Sequence, residues 1–541
     1  MRALNNNQIT TTTDIAGVVP RARTKGVARV MLHETAISRW MVALAMISGT
    51  FLRLWQINAM GFNTDEAVYA GQAAAIAGVT GLKDIFPIFR AHPLLIQFLL
   101  SLIYKIHFSD VAGRYLAVAF GLGTIYVAYM VGKTMYGRFP GALAALFVAL
   151  MPYEVTVSRQ FLLDGPMVFF ATLTLYLLAR FAKSNRVEWF YASAAALGLT
   201  FLSKETGIIL LGAVFVFLAL SPELRIRFWD LVIAFVLLAV VAAPMPVTLL
   251  LAGKSSTSNN YLTYQLFRRP NHDSLFYLQT VPPALGIMLV VVALLGLIFL
   301  WRNRSWRETL LVSWIMVTII FFEIWPVKGF QYLLPVAPAF AVLAGRFLGK
   351  LAGSNQSLQD NPAPEPAINF KAIPLVLTWA VVGVLVVSLG FSTWQRIQPE
   401  ISSSFLAGTG GIPGGREMGT WIQKNVPANA QFMSVGPSMA NIIEFYGARK
   451  AYGLSVNPNP LHRNPAYDPI LNPDLQLREA QIQYIVWDSY SASRTPFFAD
   501  KLVNYIKKYN GRAVLTETIS VKDGQGSLVN QPVIIVYEVR P

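Results

Sequence analysis

Cysteine is absent from all 541 residues, so disulfides, zinc–thiolate sites and thiol catalysis are excluded together. Charge is scarce as well. Asp, Glu, Lys and Arg make up 13% of the chain, where a soluble domain carries about a quarter. There is no GxSxG elbow, no Walker loop and no HExxH pair. With no ATP site, the energy for any transfer or transport must come from an activated substrate or a gradient. The ten-residue alternating strands of a membrane β-barrel are missing, and so is the internal repeat that many transporters carry.

What the chain has in quantity is apolar residues, 54% of the total. Runs long enough to cross about 30 Å of hydrocarbon as helices recur along most of its length. They fall at roughly 40–57, 112–132, 141–157, 166–182, 188–203, 206–221, 228–251, 281–300, 309–325, 331–349 and 372–394. The sequence therefore predicts a polytopic α-helical membrane protein of about eleven spans. The formal net charge of +16 fits the cytoplasmic excess of Lys and Arg that orients such proteins, and needs no nucleic acid to explain it. The basic joints at 133–138, 180–186, 222–227 and 301–307 all fall on the side of the basic N-terminal tail. This places the N-terminus in the cytoplasm and the C-terminus outside. Residues 1–38 read as a mostly disordered cytoplasmic tail, with no signal-peptide core near the start.

Five segments then face outward: 58–111, 158–165, 203–206, 252–280 and 326–331. The first contains two amphipathic stretches, 66–78 and 92–107, too short to span comfortably. Residues 352–371 are polar and Pro-rich and read as a cytoplasmic linker. From 396 onward the spans stop. Short strand-like runs at 430–436, 483–489, 511–521 and 532–539 alternate with helical stretches at 415–426 and 497–510. In the last, Phe497, Phe498, Leu502, Tyr505, Ile506 and Tyr509 form one apolar stripe. Residues 396–541 are expected to form an extracytoplasmic α/β domain without a Gly-rich nucleotide fingerprint.

Acids beside a membrane are costly and are functional candidates by default. On the outer face these are Asp65 and Glu66 in "GFNTDEAVYAGQ", Asp164 in "SRQFLLDG", and Glu154 about three turns before it. Asp65 and Asp164 each precede a helical run, so a capping role is the alternative for both. Basic residues on the same face are Arg90, Arg159, Lys204, Arg268, Arg269 and Lys328. Cations gathered near a few carboxylates suit an anionic substrate, such as a phosphate, next to a carboxylate base. Lys204 lies in the tight joint "FLSKETG", where pairing with Glu205 is the plainer alternative. His92 and His272 also lie outside. A histidine with a carboxylate can hold a divalent cation, but no ligand spacing supports one. Outer aromatics, Tyr69 and Tyr332 among them, could stack on a sugar or sit in the interfacial belt.

These pieces, in this order and on this side, resemble the multi-spanning glycosyltransferases of the GT-C superfamily. The likeness is to the branch of protein O-mannosyltransferases and bacterial aminoarabinose lipid A transferases. It is carried by "NTDEAVYAGQA", "RAHPLL", "SRQFLLDGPMVFF", "FLSKETG" and "FQYLLPVAPAFAVLAG" and covers about residues 40–350. The resemblance implies an enzyme of the cell membrane that moves a sugar from a polyprenyl-phosphate donor to a lipid, glycan or protein hydroxyl. It implies Asp65 as the general base and inversion at the anomeric carbon. Glu66 becomes the partner of Asp65, and Asp164 a second acid that positions the acceptor. Lys204 is implied near the donor phosphate, with Arg159 and Arg90 assisting. Glu154, His92, Tyr69, Arg268, Arg269 and Tyr332 would be further substrate contacts, and His272 with an acid the place for a divalent cation. The chain departs from the aminoarabinose branch before the proline of the "HP" segment: Ala91 and His92 replace an acid and a basic residue.

Two other function classes compete. A transporter or flippase wants acids buried within spans, and only Glu323 and Arg53 are charges placed well inside one. A non-catalytic assembly subunit would keep the fold without needing Asp65, Asp164 and Lys204.

Overall fold

A computed structural model describes residues 22–540 apart from 87, 89–91, 252, 254–262, 265–266, 269, 303–304, 354–374, 400–410, 460–461, 465–466, 468 and 523–526. The expected linker and most of the expected N-terminal tail lie outside the described residues, as do Arg90, Ala91 and Arg269.

Helix α1 (Ala22–Leu54) leads into a loop and then α2 (Thr64–Ala77) and α3 (Leu95–Tyr104). Then follow α4 (Asp110–Tyr136), α5 (Arg138–Leu150), α6 (Pro152–Ser158), α7 (Asp164–Ser184) and α8 (Val187–Ser203). A 3-10 turn (Glu205–Ile209) opens α9 (Leu210–Ala219). The helical part continues with α10 (Phe228–Ala242), α11 (Pro244–Leu251), α12 (Phe276–Leu285), α13 (Ile287–Arg302) and α14 (Trp306–Ile324). It closes with α15 (Ala337–Leu351), which a 3-10 segment (Phe330–Val336) precedes, and α16 (Leu375–Ile397).

All eleven apolar runs fall on helices, but helix length sets a smaller number of clear spans. Among the described residues five helices are long and apolar enough to cross a membrane, or up to eight if each of three bent pairs is one span. The expected count of eleven therefore does not follow from the helices alone. The bends have causes. The chain turns 57° between α5 and α6, where Pro152 lacks the N–H that would continue the α5 ladder. Between α12 and α13 it turns 94°, at Gly286 with φ +92°.

Small residues let the helices approach. A Cβ on Gly141 of α5 would stand 2.6 Å from the Lys133 nitrogen and the Tyr129 carbonyl of α4, both backbone atoms. Gly141→Leu is therefore expected to force the helices apart. Overpacking of this kind costs about 1–3 kcal/mol, and a lowered thermal midpoint of the detergent-solubilised protein checks it.

The C-terminal part forms one five-stranded sheet in the order β2-β1-β3-β5-β4. The strands are β1 (Phe432–Ser434), β2 (Ala451–Gly453), β3 (Tyr484–Asp488), β4 (Arg512–Lys522) and β5 (Leu528–Glu538). The first three are parallel, and β5 runs antiparallel to β3 and β4. All four expected strands are present; β2 was not expected. Five helices accompany the sheet: α17 (Gly415–Asn425), α18 (Pro437–Gly447), α19 (Pro473–Arg478), α20 (Ser489–Arg494) and α21 (Pro496–Lys508). The expected stripe on α21 is its buried face, with Leu502 and Ile506 in the core and Phe498 and Tyr505 packed against it, except for Phe497, which lies off that face and is exposed.

This sheet domain is fastened to the loop that precedes α2. The Phe62 ring meets Phe445 at 5.0 Å and Tyr446 at 5.8 Å. The Phe62 amide donates to the Tyr446 hydroxyl (3.0 Å), which in turn donates to Asp110 (3.0 Å). Arg416 pairs with Asp110 at 2.8 Å and bonds the Asn58 and Met60 carbonyls.

Candidate active site

The site is built around the start of α2. Asn63, not Asp65, is the N-cap: its side chain accepts from the Glu66 amide at 2.9 Å, and Glu66 returns a bond to the Asn63 amide at 3.2 Å. This capping box corrects the capping alternative for Asp65, which sits one residue inside the helix with no cap to make. Glu66 is fully buried. Its carboxylate takes two bonds from Arg114 (2.8 and 2.7 Å) and one from the Phe161 amide (2.9 Å). Arg114 spends its remaining donors on the carbonyls of Ile57, Met60 and Gly61. As the partner of Asp65, Glu66 is an orienting group and no acceptor contact: its oxygens are consumed, and it fixes the loop and the helix start that carry Asp65.

Asp164 opens α7 and is buried. Lys204, at the joint after α8, donates to both its oxygens at 2.8 and 2.9 Å. The ammonium also stands 5.0 Å from the Tyr332 ring centroid. Burial opposes the charge of Lys204, but Asp164, Tyr332 and Glu205 outweigh it and hold its pKa above the ordinary lysine value. Next to it His92 Nδ1 meets Glu205 Oε2 at 2.8 Å, and Tyr69 stands edge-on to the His92 ring at 5.8 Å. The alternative pairing of Lys204 with Glu205 yields to this: Glu205 holds His92 and Asp164 holds Lys204.

Asp65 lies amid these groups. Lys204, His92, Asp164 and Glu66 all act on it electrostatically, and burial raises its carboxyl above the ordinary aspartate value against the pull of Lys204 and His92. No hydrogen bond or ion pair to a described residue engages its side chain. Of the three acids gathered here, Asp65, Glu66 and Asp164, it alone keeps an uncommitted carboxylate among the described residues.

The remaining expected residues divide. Arg268 acts electrostatically on Tyr332, so it belongs to the same neighbourhood. Arg159 does not: its guanidinium binds the carbonyls of Leu52 and Trp55 at 2.6 Å each and closes the end of α1. Glu154 is buried in the bent pair beside Arg53, which bonds Ser158 and the carbonyls of Gly49 and Ala149. Arg53 acts on its carboxylate electrostatically, but no hydrogen bond or ion pair to a described residue engages it. His272 stacks on Phe276 at 3.9 Å. Burial, then the positive charges of Arg494 and Lys328, hold its pKa below the ordinary histidine value against the opposing pull of Asp273. Among the described residues no group of three or more His, Cys, Asp or Glu could hold a metal ion.

Sequence reasoning passed over Arg114, which carries no signal beyond being a lone cation near the outer end of α4. Glu205 was weighed only as a partner for Lys204.

Residues 91–249 match the family model for dolichyl-phosphate-mannose-protein mannosyltransferases. A Bacillus subtilis (strain 168) protein named as a mannosyltransferase, YycA, is 29% identical over 167 residues, 30% of this chain and 24% of that protein. The chain thus aligns with only about a quarter of that relative's length. Among solved structures, ArnT from Cupriavidus metallidurans superposes with a TM-score of 0.65 in its apo state, at 16% identity over 93% of this chain and 98% of ArnT. The form bound to undecaprenyl phosphate gives 0.61 at 14% identity over the same shares. The archaeal oligosaccharyltransferase AglB from Archaeoglobus fulgidus, in complex with an inhibitory peptide and a dolichol-phosphate, gives 0.55 at 12% identity over 91% of this chain and 74% of AglB. At these identities the likeness is one of fold. The chain is a multi-helix membrane protein with the fold of the GT-C glycosyltransferases, and its sequence is mannosyltransferase-like.

Proposed function

We propose that this GT-C-fold chain is a membrane glycosyltransferase. It moves a sugar from a polyprenyl-phosphate donor to an acceptor hydroxyl at the outer face of the cell membrane, with inversion at the anomeric carbon. The observation that carries the reading is the division of labour among three acids: Glu66 is consumed by Arg114, Asp164 by Lys204, and Asp65 is left free at a rigid helix start. The solved ArnT and AglB complexes, which hold undecaprenyl phosphate and dolichol-phosphate, support the donor class.

In this reading Asp65 takes the proton of the acceptor hydroxyl. The oxygen attacks the anomeric carbon as the bond from that carbon to the phosphate oxygen breaks. The polyprenyl phosphate departs with the electron pair. A lysine ammonium has three donors. Lys204 commits two to Asp164 and keeps the third for the phosphate oxygen, where a fixed cation stabilises charge as it develops. Asp164 holds Lys204 in place. His92, fixed by Glu205, adds a second polar face beside Asp65.

The test is transfer from a panel of labelled polyprenyl-phosphate sugars to membrane acceptors by the purified full-length chain. One donor is expected to be used, and the product linkage should have the opposite anomeric configuration to that donor. A product of retained configuration overturns the single-displacement mechanism. Binding of polyprenyl phosphate without transfer from any donor favours the assembly-subunit reading.

A further inference from the structure

The last turn of α16 is held against the break between α5 and α6, where Thr393 donates to the Leu150 carbonyl at 2.5 Å. Arg396 follows three residues later, one turn on along the same helix face. With Thr156 of α6 and Arg159 just past it, Arg396 lines a cavity of about 60 Å³. That is several times the ~10–15 Å³ that one water needs. Gln56 and Gln398 add neutral amides, and Arg114 borders the cavity as well.

Charge decides what such a space holds. No Asp or Glu is found among the described residues that line it. Arg114 is neutralised by Glu66. Arg159 binds main-chain carbonyls, which satisfy N–H groups without cancelling the charge. Arg396 is half-buried, and no hydrogen bond or ion pair to a described residue engages its guanidinium. Two positive charges thus border one small cavity with no counter-charge among the described residues. Partly desolvated cations without a partner are costly, and the guanidinium fork matches the oxygens of a phosphate.

Position selects the source of that phosphate. The cavity lies between the ends of two helices long and apolar enough to span a membrane, at Leu54 and Ile397. Trp55, whose carbonyl Arg159 holds at 2.6 Å, has its ring 5.0 Å from that of Trp394 and 5.5 Å from that of Phe51. Phe51 and Trp394 are exposed. Exposed aromatics at span ends sit at headgroup depth, and basic pockets between spans take lipid headgroups. Neither Asp65 nor Lys204 lines the cavity, so it is separate from the candidate active site.

We propose that this cavity binds the phosphate of an anionic membrane phospholipid, with Arg396 and Arg159 as the residues that hold it. The headgroup meets the loop that Arg114 also fastens, since Gln56, Ile57, Ala59 and Met60 line the same cavity. Bound lipid therefore gives the stretch leading to Asp65 a second hold. The inference stands independently of the glycosyltransferase reading.

The test uses the full chain, stripped of lipid in a neutral detergent and kept in excess polyprenyl phosphate. Dioctanoyl phosphatidylglycerol, dioctanoyl phosphatidylcholine and inorganic phosphate are titrated in turn by calorimetry. Phosphatidylglycerol is expected to bind at least about tenfold more tightly than either other probe, the worth of one charge-assisted bond. Arg396→Ala breaks no bond between described residues, so without lipid it should melt with wild type. It should bind phosphatidylglycerol about tenfold more weakly, and Arg396→Lys should recover part of the loss. Amide exchange in residues 56–60 should slow when phosphatidylglycerol is added to wild type, and stay unchanged in Arg396→Ala. Equal affinity of wild type and Arg396→Ala overturns the proposal. Phosphatidylcholine bound as tightly as phosphatidylglycerol removes the need for an anionic lipid and overturns it too. Inorganic phosphate bound as tightly as the lipid marks a soluble-phosphate site and rejects the lipid source. Displacement of phosphatidylglycerol by more polyprenyl phosphate rejects a separate site. None of these readouts needs sugar transfer, so a failure here is distinct from failure of the donor panel.

Discussion

Asp65→Asn is expected to reduce the turnover of sugar transfer by a factor of about 10²–10⁴, the range a positioned general base contributes, while polyprenyl phosphate binding stays within a few-fold of wild type. The substitution keeps the volume and removes the base. Because Asn63 makes the cap, no helix-start bond is lost with it. The pH dependence follows from the raised carboxyl of Asp65. The base works as carboxylate, so the rate should rise with pH through a pKa above the ordinary aspartate value and fall on the acid side. The asparagine variant should lose that limb. Stability runs the other way. A carboxyl whose pKa is higher folded than unfolded binds its proton more tightly in the fold. Its contribution is fully present below the unfolded value of about 3.8 and is lost as pH rises through the folded one. At neutral pH the asparagine variant should therefore melt at or slightly above the wild-type temperature. Activity lost with stability kept or gained is the signature of a group retained for chemistry. Wild-type turnover in this variant, or a rate that is flat through the acid range, rejects Asp65 as the base.

The largest structural effect belongs to a residue that touches no substrate. Arg114→Ala should destabilise the protein by about 3–5 kcal/mol, the cost of removing one partner from a buried ion pair and leaving the other charge uncompensated. Five guanidinium bonds go with it, three of them to carbonyls of the loop 57–61. Glu66→Gln keeps the shape and one acceptor oxygen, so it should cost less. Thermal unfolding in detergent ranks the two. If Arg114→Ala melts with wild type, the loop is held by other contacts. A residual activity assay on the folded fraction should also show loss for Arg114→Ala, since Asp65 inherits its position from the loop.

Much of the membrane domain could be read from the sequence because hydrophobic runs in lipid are almost forced to be helices. Each of the eleven runs lies on one. The number of crossings was less legible, because a run interrupted at Pro152 or Gly286 looks continuous in composition and bends only in space. The acids and Lys204 were legible as residues out of place: charges near lipid announce themselves. Their pairings were not. Glu66 and Asp65 are neighbours of the same chemistry, and only the distant Arg114 decides which is spent. Nothing in the joint "FLSKETG" says that Lys204 turns to Asp164 and Glu205 to His92. Arg159 and Glu154 look like site residues by side and spacing, yet they serve the bend and the end of α1. The sheet was visible in four of its five strands; β1, as short as β2, lies inside the longer apolar run 430–436, whereas Ala451–Gly453 sits in no such run.

The fastening of Phe62 to Tyr446 spans 384 residues of sequence. Protein synthesis proceeds in one direction, so the segment bearing Asp65 enters the membrane long before its clamp exists. Until Tyr446 and Arg416 have emerged and folded, the stretch before α2 is held only from within the membrane domain, by Arg114 and its neighbours. The order of synthesis thus sets the inner fastening of this stretch first and the outer one last.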